Sequence, residues 1–269
     1  MGSLLALVSS VLWGAADFIG GNLSKRFKSI AVTGVSQSIG LLFGTAIVLI
    51  SGSYIAPTLD WNGYFLPGII AGIAGFLGLT SFYAGLATGR MGVVSPISSL
   101  GALLPFTIAL IGGERPMRLQ LLGMVIALIG GFCASGPELN NGLPVKPLFY
   151  ALGATFGFGI ALTFMAKGSE TSPLLTMTMM RVTSVSICIL IALRYRQIGG
   201  FKLKDLPMLA FIGVADFLAN YLLGLATTKV CLARGAYVYL CDIDSKSLNK
   251  LNKHPLQNKR LFAYHCDAS

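Results

Sequence analysis

The feature that most constrains this chain is a series of long apolar stretches. A hydrocarbon core about 30 Å thick requires about 20 mainly apolar residues per helical span. Because backbone groups in lipid must be hydrogen-bonded within their own segment, such stretches predict helices. Eight stretches meet the requirement, at 3–22, 29–51, 64–87, 91–112, 119–135, 148–166, 173–193 and 206–228.

The composition leads to the same fold class. Hydrophobic residues make up 54% of the chain and charged residues 11%, whereas about a quarter of the residues in a soluble domain are charged. The sequence therefore predicts an all-α polytopic integral membrane protein whose surrounding partner is the lipid bilayer. We expect its location to be the plasma membrane.

Motifs for catalysis and for cofactor binding are absent from the sequence. It contains no Walker phosphate loop, no H-E-x-x-H and no G-x-S-x-G, and its five cysteines show no metal-ligand spacing. The net charge of +10 is spread along the chain without interleaved aromatic residues, which argues against a nucleic-acid partner. We predict no enzymatic activity, no cofactor and no metal, and a homodimer remains open.

The chain repeats part of itself. The segment GLAT at 85–88 recurs unchanged at 224–227, and the aromatic-glycine pair at 13–14 has a counterpart near 156–159. Repeats of this kind are common in secondary transporters, where two related halves enclose a substrate site near the midplane. We predict a first half of five spans at 1–136 and a second, incomplete half of three spans at 146–228.

Further motifs are the pair Trp13-Gly14, the stretch 83–106 with Ser95-Pro96, and the stretch 113–131 with Gly113-Glu114-Arg115. With the repeat, these motifs resemble the EamA type of the drug/metabolite transporter superfamily. The resemblance implies two five-helix halves and secondary transport of small organic metabolites or drugs by alternating access. Residues after about 228 do not continue the pattern into helices nine and ten. The alternative is therefore a truncated or fused, transport-inactive membrane protein.

The tail at 229–269 carries too much charge for a span. Alternating Tyr and Val residues predict an extended segment at 236–241, a helix at 245–252 and a second extended segment at 260–266. The sequence thus predicts a short, soluble β-α-β-like tail. A gene fusion, a frameshift or an assembly error would each produce such a join.

The tail resembles a fragment of a short-chain dehydrogenase/reductase. The resemblance would place Asp242 and Asp267 near the adenosine of NAD. However, the glycine-rich turn and the catalytic Ser, Tyr and Lys of that family are absent, so such a fragment cannot bind NAD as the family does. A membrane-tethered NAD-binding module is the weakest of the three functional hypotheses.

The distribution of positive charge leaves the orientation open. Before the tail, the links after the odd-numbered spans carry nine Lys or Arg residues and the opposite links carry three, which places the N-terminus outside. The family resemblance implies an N-terminus inside. The tail adds seven basic residues to the weaker side, so the charge rule no longer decides.

Three ionisable residues lie within the predicted spans: Asp17, Arg181 and Asp216. Such residues usually face a bundle interior and serve function, although Asp17 could instead reach the membrane interface. Arg181 and Asp216 lie at similar depths on consecutive spans, so we predict an ion pair between them. A purely structural pair is the alternative to a substrate or coupling site.

Polar and aromatic neighbours complete the predicted site. Gln37 stands in the first half where Arg181 stands in the second, and Asn220 follows Asp216 by one turn. For each residue the alternative to ligand binding is a structural role, either a hydrogen bond between helices or an anchor at the membrane interface. The remaining candidates are Trp13, Tyr83, Thr80, Ser81 and Tyr150.

Overall fold

The computed structural model describes residues 2–88, 91–113, 115–135, 145–195, 199–233, 238–242 and 261–265. Short 3₁₀ turns lie between α4 and α5 and immediately before α9. The helices are α1 (Gly2–Leu23), α2 (Ser29–Ser51), α3 (Phe65–Ala87), α4 (Met91–Ser99), α5 (Leu103–Ile111), α6 (Arg118–Ser135), α7 (Val145–Ser169), α8 (Pro173–Tyr195) and α9 (Leu206–Ala233).

Seven segments in the described part of the chain are long and apolar enough to cross a membrane. They are α1, α2, α3, α4 together with α5, α7, α8 and α9. The prediction of eight spans is corrected at 119–135, which falls on α6. The apolar stretch found there, Leu121–Gly130, has 10 residues. It would cover only about 15 Å of a core about 30 Å thick.

The predicted span at 91–112 is a broken helix. Pro96 lies inside α4, and a proline removes one backbone donor and crowds the preceding turn. The chain then forms a 3₁₀ turn at Leu100–Ala102 before α5 begins. The hydroxyl of Thr155 on α7 donates to the Ile97 carbonyl at 2.7 Å, so α7 provides a hydrogen bond beside the break.

Helices of the first predicted half pack against helices of the second in reverse order. α1 packs on α9, and α3 packs on α7. α2 contacts both α8 and α9, while α8 also contacts α3. The first and third helices of one predicted half therefore contact the third and first helices of the other, with the two second helices between them.

Glycines allow the closest helix crossings. A Cβ atom on Gly157 of α7 would lie 2.5 Å from the Cα atom of Gly78 on α3. A Cβ atom on Gly213 of α9 would collide with the Ser36 carbonyl oxygen of α2. Without an added hydrophobic force in lipid, helices associate through such close backbone packing.

The polarity of the bundle is inverted relative to a soluble protein. Large apolar side chains such as Leu49, Phe149 and Leu190 point outward and are exposed. Buried polar side chains lie inside, where they form hydrogen bonds within and between helices. The interior polar residues include Ser36, Gln37, Arg181, Ser184, Asp216 and Asn220.

Strands occur in the described residues only after α9. β1 (Val238–Asp242) pairs in parallel with β2 (Leu261–His265), with Val238 opposite Leu261 and Asp242 opposite His265. The predicted helix at 245–252 and Asp267 lie outside the described residues. The β-α-β arrangement and the resemblance to a dehydrogenase are therefore not supported.

The Gly78–Gly157 crossing predicts a selective loss of stability. In Gly157→Ala, the new methyl group must push α3 and α7 apart, which we expect to cost about 1–3 kcal/mol, as overpacking typically does. Gly123→Ala on α6 is the matched control because a Cβ atom there meets nothing within 4 Å. Thermal unfolding in detergent measures both variants, and equal midpoints would contradict the crossing.

Candidate functional site

The ion pair predicted between Arg181 and Asp216 is confirmed. An Nη atom of Arg181 on α8 lies 2.9 Å from Oδ2 of Asp216 on α9, and both side chains are buried. The side chain of Arg181 thus lies in the protein interior. Burial strengthens the attraction between the two charges. It also makes the removal of either partner strongly destabilising, because the other charge then stays buried without a counter-ion.

Three further donors bind the Asp216 carboxylate. The Gln37 amide nitrogen donates to Oδ2 at 2.9 Å. The Trp13 indole N–H and the Asn220 amide nitrogen donate to Oδ1 at 3.1 and 3.0 Å. With Arg181, each carboxylate oxygen receives two hydrogen bonds. We call these five residues the Asp216 cluster.

The Asp216 cluster joins four helices. Trp13 comes from α1, Gln37 from α2, Arg181 from α8, and Asp216 and Asn220 from α9. An ionised carboxylate accepts only, and four donors satisfy its acceptor sites. The arrangement can hold a negative charge in the membrane interior while Arg181 balances it.

A cavity of about 870 Å³ lies beside the Asp216 cluster. All five cluster residues line it, together with further side chains from α1, α3, α4, α6, α7 and α8. Most of the other lining residues are apolar, so the cavity combines a small polar region with a large apolar surface. Its further lining includes Phe18, Leu79, Phe82, Ser98, Met124, Phe158, Leu162 and Met180.

Asp17 faces this cavity from α1, one helical turn after Trp13. It has no hydrogen-bond or ion-pair partner among the described residues. The cavity thus contains one paired carboxylate, at Asp216, and one unpaired carboxylate.

Four predicted candidates do not line the cavity. Tyr83 is fully buried, and its ring packs where a side chain on Gly20 would otherwise lie. Thr80 and Ser81 also lie outside the lining. Tyr150 packs near Gly85 at the α3–α7 contact. Tyr83, Ser81 and Tyr150 thus contact neighbouring helices.

Sequence reasoning missed the apolar wall and several serines that line the cavity, including Ser98, Ser99 and Ser184. Ser184 lines the cavity one turn after Arg181, and helical spacing could have identified it. Phe158 and Met180 carry no such signal, because apolar residues occur on every face of these helices. Within the described ranges, no three His, Cys, Asp or Glu side chains could share a metal ion.

Comparison with known proteins gives one match. Residues 1–136 match the model of the EamA-like transporter family. Neither the curated proteins nor the solved structures compared with the chain include a significant match. The matched residues contain Trp13, Asp17 and Gln37 but not Arg181 or Asp216.

Removing the Asp216 charge should destabilise the bundle strongly. Asp216→Asn leaves Arg181 buried without its counter-ion, and breaking such a pair typically costs about 3–5 kcal/mol. The double variant Arg181→Gln with Asp216→Asn should regain part of that loss. Glu170→Gln is the control, because Glu170 pairs with Lys167 at 2.9 Å on the exposed surface and should change stability by less than about 1 kcal/mol. Chemical unfolding in detergent measures all three, and a double variant no more stable than Asp216→Asn would contradict the coupling.

Proposed function

The chain belongs to the EamA-like transporter family, and from this membership and the cavity geometry we propose that it is a secondary transporter of small organic metabolites or drugs. The family consists of membrane transporters of the drug/metabolite superfamily and is not an enzyme family. Seven helices in the described residues are long and apolar enough to cross a membrane, as expected for an integral membrane protein of this family. We place it in the plasma membrane, as an expectation from the sequence.

The observation that carries this proposal is a ligand-sized cavity at mid-depth in the bundle. Arg181 lies eight residues after the start of α8, and Asp216 lies ten after the start of α9. At about 1.5 Å per residue, both lie about 12–15 Å along a core about 30 Å thick. Ligand pockets typically measure about 300–1,000 Å³, and substrate sites in secondary transporters lie near the midplane.

The reciprocal packing supports alternating access between halves 1–136 and 146–228. Both halves contribute residues to the cavity wall, and α1 packs on α9 as α3 packs on α7. A rocking motion of one half against the other would expose such a site to each side in turn. This division into halves is part of the proposal.

Contacts between two links could close one end of the pathway. The rings of Phe27, after α1, and Phe201, before α9, lie 4.5 Å apart. Arg26 lies 3.7 Å from Asp205, and the half-exposed Arg26 side chain limits what this pair contributes. Weak contacts of this kind can open during a transport cycle at small cost.

The broken helix α4–α5 also supports a transport role. Ser98, Ser99 and Ala102 at the break line the cavity. Irregular backbone at membrane depth is tolerated where it is buried in protein or lines a cavity. Discontinuous helices form the substrate sites of many secondary transporters.

A filled cavity should abolish transport. Gly14 lines the cavity, and a Cβ atom there meets nothing within 4 Å, so Gly14→Leu adds an apolar side chain to open space. We expect uptake by proteoliposomes, measured over a panel of labelled amines, amino acids, sugars and organic acids, to fall to background. Gly123→Leu on α6 should leave uptake unchanged, because Gly123 also has open space but does not line the cavity.

Two results would count against the proposal. Equal uptake by the Gly14→Leu and Gly123→Leu proteins would show that solute does not pass through this cavity. No uptake of any panel member by the correctly folded, unaltered protein would favour the transport-inactive alternative.

A further inference from the structure

The charges that line the cavity do not cancel. Three ionisable side chains are present among the described lining residues, Asp17, Arg181 and Asp216. Arg181 is paired with Asp216 at 2.9 Å, so the pair is neutral. Asp17 has no partner among the described residues, which leaves one net negative charge on the wall when its carboxylate is ionised.

The hydrogen-bonding groups of the cavity also include unused acceptors. Gln37 turns its amide nitrogen toward Asp216, because a carboxylate can only accept. Its Oε1 atom is therefore directed away from Asp216, and it is buried without a donor in the described structure. Oε1 is buried, whereas Asp17 is only partly buried, so Asp17 supplies an unused acceptor that a ligand can reach.

The cationic side chain among the described lining residues, Arg181, is not available to an anionic ligand. Both the charge and one Nη atom of Arg181 are engaged by Asp216. The Nε atom of Arg181 has no partner among the described residues. It is buried within the protein, so a ligand carboxylate would have to displace Asp216 or move the side chain. Moving one member of a buried ion pair away from the other is costly.

The other side chains of the cavity wall can bind a ligand that carries a cationic group on an apolar body. Trp13 lies one turn before Asp17, and both line the cavity, so their Cβ atoms are about 5–6 Å apart. A cation held by Asp17 therefore lies near an indole ring, whose face attracts cations. Phe82, Phe158 and several aliphatic side chains provide the apolar surface.

We propose that this cavity selects organic monocations, namely a protonated amine on an apolar body, and that Asp17 is the carboxylate that binds the ammonium group. The inference rests on the proposed function, since it names the substrate class of the same cavity. Asp216 keeps its role as the partner of Arg181.

The intrinsic fluorescence of Trp13 can report the binding of a ligand in the cavity. It has two tryptophans, Trp13 and Trp61, and Trp61 is 58% exposed, away from the cavity wall. The Trp61→Phe protein in detergent therefore reports fluorescence from Trp13 alone. Phenyl ligands do not absorb at the wavelengths that excite tryptophan selectively.

Four ligands of similar shape and different charge separate the possible substrate classes. They are 2-phenylethylamine, phenylalanine, 3-phenylpropionate and 2-phenylethanol at neutral pH. We expect saturable binding of 2-phenylethylamine, on the order of tenfold tighter than any of the other three, as expected for one added charged hydrogen bond. Equal or tighter binding of phenylalanine or 3-phenylpropionate would overturn the inference, as would the absence of binding by all four.

Variants of Asp17 test the residue assignment. In the Trp61→Phe background, Asp17→Asn should lose the preference for the amine over the alcohol, while Asp17→Glu should retain it. Glu170→Gln removes one exposed carboxylate outside the cavity and should leave the preference unchanged. An unchanged preference in a folded Asp17→Asn protein, as judged by its size-exclusion profile and circular dichroism, would overturn the assignment.

The outcome separates this inference from the proposed function. If proteoliposomes take up a solute other than an amine and Gly14→Leu blocks that uptake, the transporter proposal stands and the monocation inference fails. If amines bind at Asp17 but no solute is transported, the inference about binding stands and the transporter proposal fails.

Discussion

The interior of the bundle depends on the neutralisation of Arg181 by Asp216. A lone arginine at the centre of a membrane helix costs about 2.5–3.5 kcal/mol even on insertion scales, and the ion pair at 2.9 Å offsets that cost. The carboxylate then needs three further donors, which come from Trp13, Gln37 and Asn220. Four helices are therefore fixed relative to one another by a single carboxylate, and the cavity wall follows from their arrangement.

Close backbone crossings bring these side chains together. Gly40 and Gly213 let α2 approach α9 so closely that a methyl group on either would meet backbone atoms of the other helix. This contact lies one turn from both Gln37 and Asp216, so the short amide of Gln37 can reach the carboxylate. A wider separation would require a longer side chain or a bridging water, and the cluster would lose its fixed geometry.

Pattern and spacing predicted much of this structure, and the reasons for the failures are physical. The spans and the Arg181–Asp216 pair follow from apolar length and matched depth, which depend on the sequence alone. The break after Pro96 was missed because many membrane helices tolerate proline without interruption. Tyr83 was placed in the site because polarity marked it, whereas its position depends on the Gly20 contact between α1 and α3. The apolar cavity wall could not be predicted, because hydropathy is similar on every face of these helices.

Helix α1 connects the neutral cluster to the unpaired carboxylate. Trp13 is hydrogen-bonded to Asp216 at 3.1 Å, and Asp17 lies one turn further along the same face. Any ligand that draws Asp17 toward the cavity centre therefore also acts on the helix that donates to Asp216. Since α1 packs mainly on α9, such a shift would be transmitted between the two proposed halves through one helix pair. A ligand bound elsewhere on the apolar wall has no comparable connection to the Asp216 cluster. The position of the Asp17 carboxylate therefore determines which ligands could couple their binding to a movement of the two halves.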